Sequence, residues 1–320
     1  MRILLTGSSG FIGASLLKEI LLRPDWDPIF PRRESHGAMR NDPRFPSLGD
    51  LRSDTDWGAY LRDVDVVVHA AALAHAMGRD VGRNIEDFES VNTQATLALA
   101  RQAADSGVKR FVFISTVKVL GEYSIRSSPF RPDSVPRPVG PYAESKRRAE
   151  EGLLDISRES GLEVVIIRPV LVYGTGVGAN FLRMIRWVSK GVALPLASVD
   201  NLRSFVAVEN LVDLILTCMT HPAAANEIFL VSDDRDISTP ELLRKIGSEL
   251  GCSARLFPVP RGLLRFSAGL AGKTAELERL CGTLQVDISK TKCLLGWSPV
   301  IDFDQALHRT VRHYLEHQSK

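Results

Sequence analysis

A chain of 320 residues is long enough for about two domains of ordinary size, or one large domain carrying a second lobe. With 44% apolar and 24% charged residues, 24 Gly and 17 Pro, its composition excludes disorder, collagen-like repeats and low-complexity tracts as organising features. Forty Lys and Arg against 38 Asp and Glu leave a formal charge of +2, too weak a field to make nucleic acid the main partner, and the expected ligand is a small molecule.

In chain order, short β-rich runs at Arg2 to Thr6, Asp27 to Arg32, Val64 to His69, Arg110 to Ser115 and Glu163 to Arg168 alternate with helix-length segments at Phe11 to Leu22, Asn92 to Ser106 and Tyr142 to Ser160. This alternation predicts an α/β fold, a Rossmann-like doubly wound parallel sheet with helices on both faces. Val66-Val67-Val68 and Phe111-Val112-Phe113-Ile114 are continuous apolar runs, as strands covered on both sides require. Beyond Pro169 the alternation loosens. Residues 1–169 are therefore expected to form a nucleotide-binding domain and 170–320 mainly a smaller C-terminal substrate-binding lobe, with some segments returning to the first domain.

Arg147-Arg148-Ala149-Glu150-Glu151, a run of mixed sign, is expected as a solvated helix face. No apolar stretch approaches the ~18 residues of a membrane span. The longest, Leu211 to Met219 and Gly262 to Gly272, are expected as core-facing helices, and no stable membrane anchor is expected. Cys218, Cys252, Cys281 and Cys293 lie 34, 29 and 12 positions apart, which fits neither a zinc ribbon nor a disulfide framework and suits a reducing cytoplasm. His313 and His317 are four apart on a C-terminal helix without a third ligand nearby, so no metal is expected.

The first strand feeds directly into Thr6-Gly7-Ser8-Ser9-Gly10-Phe11-Ile12-Gly13. Gly7 permits a tight turn, Gly10 lets a pyrophosphate approach the backbone, and Gly13 allows the helix to pack close to the sheet. The amides from Ser9 through Phe11 and Ile12, with the positive end of the helix dipole, would face the phosphates. Folds that bind a dinucleotide in this way usually end the second strand in Asp or Glu, which holds the ribose 2′-hydroxyl. Here Pro31-Arg32-Arg33 stand in that place. Two guanidiniums complement a 2′-phosphate, which predicts NADP(H); NAD(H) is the alternative if the pair belongs to a solvated loop.

Ser115-Thr116 follow the fourth strand, and Pro141-Tyr142-Ala143-Glu144-Ser145-Lys146 open the next helix. Tyr142 and Lys146 share a helix face, and an ammonium there is expected to lower a phenol whose ordinary pKa is about 10. Thr116 falls at the carboxyl end of a parallel strand, the side on which ligands bind.

With these motifs the chain resembles the extended short-chain dehydrogenase/reductases, the NAD-dependent epimerase/dehydratase family, over practically its whole length. The likeness continues through Asp50-Leu51, His69-Ala70-Ala71-Ala72, Asn92, Arg168-Pro169-Val170-Leu171-Val172-Tyr173-Gly174 and Leu295-Gly296-Trp297-Ser298-Pro299. It implies that Tyr142 is the general acid/base, that Lys146 also holds the nicotinamide ribose, and that Thr116 hydrogen-bonds the reacting sugar oxygen. It further implies that Asp50, Leu51, Ala70, Ala71, Ala72, Asn92 and Pro169 lie at the cofactor. A homodimer through the Tyr142 helix and its neighbour would also be in keeping with the family. His69 and His75 are expected to pack near the cofactor, and Trp297 to anchor the C-terminal lobe.

Sugar-nucleotide 4,6-dehydratases of this family carry an Asp-Glu pair directly after the catalytic Thr. This chain has Val117-Lys118, so elimination of water is not expected. Segments around Ser115 to Glu122, Asn180-Phe181, Leu194 to Leu196, Asn201 to Ser204 and Leu284 to Asp287 resemble bacterial 4-ketoreductases that form UDP-N-acetylquinovosamine from UDP-2-acetamido-2,6-dideoxy-xylo-hexos-4-ulose. The resulting expectation is an NADPH-dependent reductase of that UDP-sugar, with a UDP-hexose or UDP-N-acetylhexosamine 4-epimerase retaining NAD as the alternative. A non-catalytic nucleotide-binding regulator is a third reading, disfavoured by the intact Thr116, Tyr142 and Lys146. The same resemblance assigns Arg203 to the substrate diphosphate, Asn180, Phe181 and Leu194 to the same region, and Leu284 to a gate beside the sugar C2 substituent. Lys118 is expected on the substrate or at the cleft entrance.

Overall fold

The computed structural model describes residues 1–34, 42–74, 85–270, 272 and 274–318, so His75 lies outside the described residues. The chain runs β1 (Arg2–Thr6), α1 (Phe11–Leu21), β2 (Asp27–Ile29), α2 (Gly58–Leu61), β3 (Val66–His69), α3 (Ile85–Phe88), a π-helical turn (Glu89–Gln94), α4 (Ala95–Asp105), β4 (Arg110–Ile114), α5 (Pro141–Ser160) and β5 (Glu163–Pro169). It continues through β6 (Leu171–Tyr173), α6 (Ala179–Ser189), β7 (Arg203–Ala207), α7 (Val208–Thr220), β8 (Ile228–Val231), β9 (Asp236–Ile237), α8 (Thr239–Glu249), α9 (Arg261–Leu270), α10 (Thr274–Cys281), α11 (Ser289–Leu295) and α12 (Phe303–Gln318).

The main sheet is parallel in the order β2-β1-β3-β4-β5-β8, so the chain direction across the sheet reverses between β1 and β3. That reversal opens the crevice in which open α/β sheets bind ligands. Successive strand residues serve opposite cores. Ile3, Leu5, Val66, Val68, Val112, Ile114, Val165 and Ile167 pack with α1 and α7 on one face. Leu4, Val67, Phe111, Phe113, Val164 and Ile166 pack with α4 and α5 on the other. The expected Rossmann-like fold is thus present, although β2 ends at Ile29 and Arg32 forms only an isolated bridge with Ser47.

A second sheet, β6-β7-β9, has its own core around the stacked rings of Tyr173 and Phe181, with Phe205 and Phe303. Tyr173 donates to Asp233 at 2.7 Å, whose other oxygen accepts from Ala207 N–H and Asn210, so one buried carboxylate ties β6, β7, α7 and the segment after β8 together. Trp297 does anchor the C-terminal segment, donating its indole N–H to Asp213 on α7 at 2.8 Å.

Two sequence expectations fail here. Glu150 is buried, because Arg168 on β5 faces it across α5. Residues 262–272 do not form a core-facing helix: Leu263, Phe266 and Leu270 of α9 are exposed. Among the described residues, no helix is long and apolar enough to cross a membrane.

Candidate active site

The glycine turn between β1 and α1 is shaped by backbone contact. Gly7 has φ +76°, and a Cβ there would lie 2.5 Å from Ala71 N on the loop after β3. A Cβ at Gly13 would lie 2.1 Å from the Gly7 carbonyl oxygen, so Gly13 lets the helix pack onto the turn itself, where the sheet was the expected neighbour. No side chain caps α1 at Gly10 and no acidic residue occupies its first turn. Ser8, 1% exposed, keeps its hydroxyl buried without a partner among the described residues. This is a cradle fit for a phosphate: bare helix amides, a favourable dipole and a spare buried donor.

Across the crevice, Ala70 N–H and Ala71 N–H donate to the Thr6 carbonyl and hydroxyl, each at 3.3 Å. The Thr6 hydroxyl also meets His69 Nδ1 at 2.7 Å, and His69 Nε2 meets Thr96 at 2.9 Å. Both ring nitrogens of His69 thus meet threonine hydroxyls, which can donate or accept, a setting that suits a neutral imidazole. Desolvation, helped by the Lys146 charge, holds this imidazole down at about 3. An unfolded His titrates near 6.5, so the native state is disfavoured as pH falls from 6.5 toward 3 and keeps this contribution above that range. We expect unfolding free energy to fall through that window by up to about 1.4 kcal/mol per pH unit from this site. His69→Gln should flatten the acid limb of a urea-denaturation series; an unchanged slope would contradict a buried neutral His69.

Asn92 sits in the π turn and is 1% exposed. Its amide donates to the Leu73 carbonyl and the Ser145 hydroxyl, both at 3.0 Å, and its oxygen accepts Leu73 N–H at 2.7 Å. Thr93 grips the Ser145 carbonyl at 2.9 Å. Asn92 therefore joins the loop after β3 to the helix that carries Tyr142 and Lys146. Ser145 and Thr93 were not anticipated from sequence, because their partners are more than 50 positions away. The π turn is likewise invisible to helical periodicity, and such turns recur at functional sites.

On α5, Tyr142, Lys146 and Glu150 follow at four-residue intervals and form one stripe. The Thr116 hydroxyl is hydrogen-bonded to the Tyr142 phenol and accepts Lys118 N–H at 3.3 Å. Burial pushes the phenol up to about 12, opposed by the Thr116 hydrogen bond. This corrects the expectation of a phenol lowered by Lys146. The Lys146 Nζ donates to the Ile114 carbonyl at 2.8 Å and stands 4.3 Å from the Phe113 ring centre. Its own burial brings it down to about 7, with Glu150 pulling it back up, so near neutrality it is only partly charged. Glu150 is held in turn by Arg168, at 3.0 Å from Nε and 2.6 Å from Nη2, and Arg168 also donates to the Pro132 carbonyl at 2.9 Å.

Pro169 closes β5 at the same carboxyl edge, buried beside the cleft-lining Val170. That cleft, of about 170 Å³, opens between the sheets and is lined by Thr116, Lys118, Asn180, Arg183, Arg203, Arg279 and Leu284, among others. Arg203 donates to the Gly282 carbonyl at 2.9 Å, and burial lowers its pKa. Lys118 pairs with Glu122 at 3.1 Å, and Asn180 accepts from Arg183 at 3.0 Å. Arg183 and Arg279 were missed in the sequence, where isolated arginines on polar helices carry no signal. The side chains of Phe181 and Leu194 pack in the second core, so a ligand could meet these residues only through their backbone.

The two arginines expected at a 2′-phosphate differ in their surroundings. Arg33 pairs with Asp50 at 2.8 Å, and the Arg32 guanidinium lies 5.1 Å from the Phe45 ring centre. The buried Arg32 Nε has no acceptor among the described residues. Leu51, next to Asp50, packs on the core of the α4 and α5 face.

A parallel sheet with a glycine-rich first turn and a Thr–Tyr–Lys set at its carboxyl edge defines a nicotinamide-dependent class. The profile of the NAD dependent epimerase/dehydratase family matches residues 3–232, and the chain belongs to that family as one of its enzymes. It is 44% identical to UDP-glucose 4-epimerase of Vibrio cholerae over 315 residues, 98% of this chain and 95% of the relative. The structure of dTDP-glucose 4,6-dehydratase from Streptomyces venezuelae, with NAD bound, superposes with a TM-score of 0.78 at 27% identity, covering 100% of this chain and 98% of that one. UDP-glucose 4-epimerase from Thermotoga maritima shares the fold with a TM-score of 0.77 at 22% identity, over 99% and 100% of the two chains. The similarity to the Vibrio cholerae protein overturns the expected 4-ketoreductase: this long match at 44% identity is to an epimerase.

Proposed function

We propose that this chain is a 4-epimerase of UDP-hexoses that keeps NAD bound through the catalytic cycle. The observation that carries the reading is the hydrogen-bonded Thr116–Tyr142 pair at the sheet edge, in a chain 44% identical over nearly its whole length to a UDP-glucose 4-epimerase. Residues 1–169 would hold the dinucleotide, with its pyrophosphate at Gly7 to Gly13, and the lobe from 170 onward the sugar nucleotide. Bound NAD would supply the hydride acceptor and donor.

The chain's own residues handle the proton and the pose. Tyr142 takes the proton of the C4 hydroxyl and returns it to the C4 oxygen after the sugar has turned over, and Thr116 holds that oxygen beside the phenol. Lys146, brought down to about 7, is the group of this stripe whose charge changes close to neutral pH, one helical turn from the phenol. Arg203, with Arg183 and Arg279, offers guanidiniums to a diphosphate, which they can meet in a bidentate way. Val117 and Lys118 supply neither the acid nor the base that a 4,6-elimination needs, which speaks against dehydration despite the structural likeness to a dehydratase.

The test is to release and identify the nucleotide co-purifying with the protein, then incubate the protein with UDP-glucose or UDP-N-acetylglucosamine. The expected result is bound NAD and interconversion of the C4 epimers without change in absorbance at 340 nm. Net consumption of added NADPH, or no interconversion of either sugar, would overturn the proposal.

A further inference from the structure

We propose that Asn201 is a positioning residue for the substrate diphosphate, setting the guanidinium of Arg203 and the end of α10 that carries Arg279 from behind the cleft wall. The inference rests on the reading that these arginines meet a diphosphate. Asn201 stands two residues ahead of Arg203, just before β7, and is 1% exposed, so it acts only through its neighbours.

Those neighbours belong to one wall of the cleft. The Asn201 amide Nδ2 is shared among the Thr239 hydroxyl at 3.0 Å, the Gly282 carbonyl at 3.1 Å and the Leu280 carbonyl at 3.2 Å. Its oxygen accepts Thr239 N–H at 2.9 Å, and the Thr239 hydroxyl in turn donates to the Leu280 carbonyl at 2.6 Å. Since α10 ends at Cys281, these carbonyls lie at and just past a helix terminus, where intrahelical donors run out. Asn201 thereby ties the end of α10 to the first residue of α8. Arg203, Thr239, Arg279 and Leu280 all line the cleft, so slack in this network is felt there.

The link to Arg203 is a shared acceptor. Arg203 Nη1 donates at 2.9 Å to the same Gly282 carbonyl that Asn201 holds. A guanidinium carries more N–H groups than this one oxygen can take, so the contact orients its plane and leaves other N–H groups for phosphoryl oxygens. Without the Asn201 amide, the Gly282 oxygen would depend on Arg203 more fully and compete with a ligand for it, while the end of α10 would lose one of its ties. The Thr116–Tyr142 pair lies at the carboxyl edge of the main sheet and makes no part of this network. Loss of Asn201 should therefore be felt in diphosphate binding and not in the proton-transfer step.

The experiment compares the affinity of the purified chain for UDP and for uridine by calorimetric titration, with kcat and KM measured alongside. Asn201→Ala should weaken UDP by about tenfold or more and raise KM by a similar factor, with uridine affinity and kcat nearly unchanged. Thr239→Val should shift UDP affinity in the same direction, and Thr239→Ser, which keeps the hydroxyl, should restore it; this pair carries the test if Asn201→Ala does not fold. Equal weakening of UDP and uridine, or a loss in Thr239→Ser as large as in Thr239→Val, would reveal a merely structural network and overturn the proposal. Arg203→Met separates the two readings. If it weakens UDP by about tenfold or more while Asn201→Ala does not, the positioning role alone falls. If Arg203→Met leaves UDP affinity intact, the diphosphate assignment falls and takes the positioning role with it.

Discussion

Tyr142→Phe is expected to lower kcat by about 10²- to 10⁴-fold while leaving cofactor content and KM for the sugar nucleotide nearly unchanged. The substitution removes one oxygen, the one hydrogen-bonded to Thr116, and leaves the ring in place. The ring keeps its packing, so the cost to the fold should be that of one hydrogen bond, about 1 kcal/mol. Stopped-flow or coupled assays of both epimerisation directions would measure the effect. Activity within tenfold of the unsubstituted enzyme would remove Tyr142 from the proton-transfer role. Thr116→Val should act in the same direction but less severely, since the phenol would remain while the group that holds the sugar oxygen is lost.

The second large effect concerns stability. Glu150 and Arg168 have side chains 4% and 5% exposed, paired at 2.6 Å. Glu150→Ala leaves a guanidinium in the interior whose remaining acceptor among the described residues is the Pro132 carbonyl, and a broken buried pair of this kind costs about 3–5 kcal/mol. Denaturant titration should show that loss, and Glu150→Leu/Arg168→Met should recover much of it, because desolvated charges are then absent altogether. The variant also has a chemical readout. Glu150 is the group that raises Lys146 against its burial, so without it Lys146 should titrate below about 7, and the limb of the pH–rate profile that it governs should move to lower pH. A stable Glu150→Ala protein with an unmoved profile would mean that the carboxylate neither neutralises Arg168 nor tunes Lys146.

Much of the fold could be read from local pattern. The strands β1, β3, β4 and β5 are short, continuous apolar runs between helical segments, and nothing but a two-sided parallel sheet covers them. The glycine turn and the Tyr142/Lys146 spacing were legible for the same reason, since their meaning lies within a single helical turn. What escaped notice depends on which neighbour lies opposite. The helical spacing that puts Glu150 beneath Lys146 does not reveal that Arg168, on the next strand, closes over it. Nothing in the apolar pattern of α9 distinguishes a covered face from a bare one. Arg33 was expected at a 2′-phosphate and Asp50 at the cofactor; their 2.8 Å pairing with each other rests on how two loops fold back together.

The π turn at Glu89–Gln94 also bears on how this enzyme could be altered. One extra residue is accommodated there, so the portion bearing Asn92 and the portion continuing into α4 are out of phase with each other by about 100°, the angular increment of one helical residue. Trimming a single amino acid from this stretch would restore an unbroken helix, and the better-formed helix would aim Asn92 away from both Leu73 and Ser145. Loop grafting or shortening in this part of the chain thus has to preserve residue count as strictly as residue type, since a regularised segment would unhitch the helix bearing Tyr142 and Lys146 from the opposite wall of the crevice.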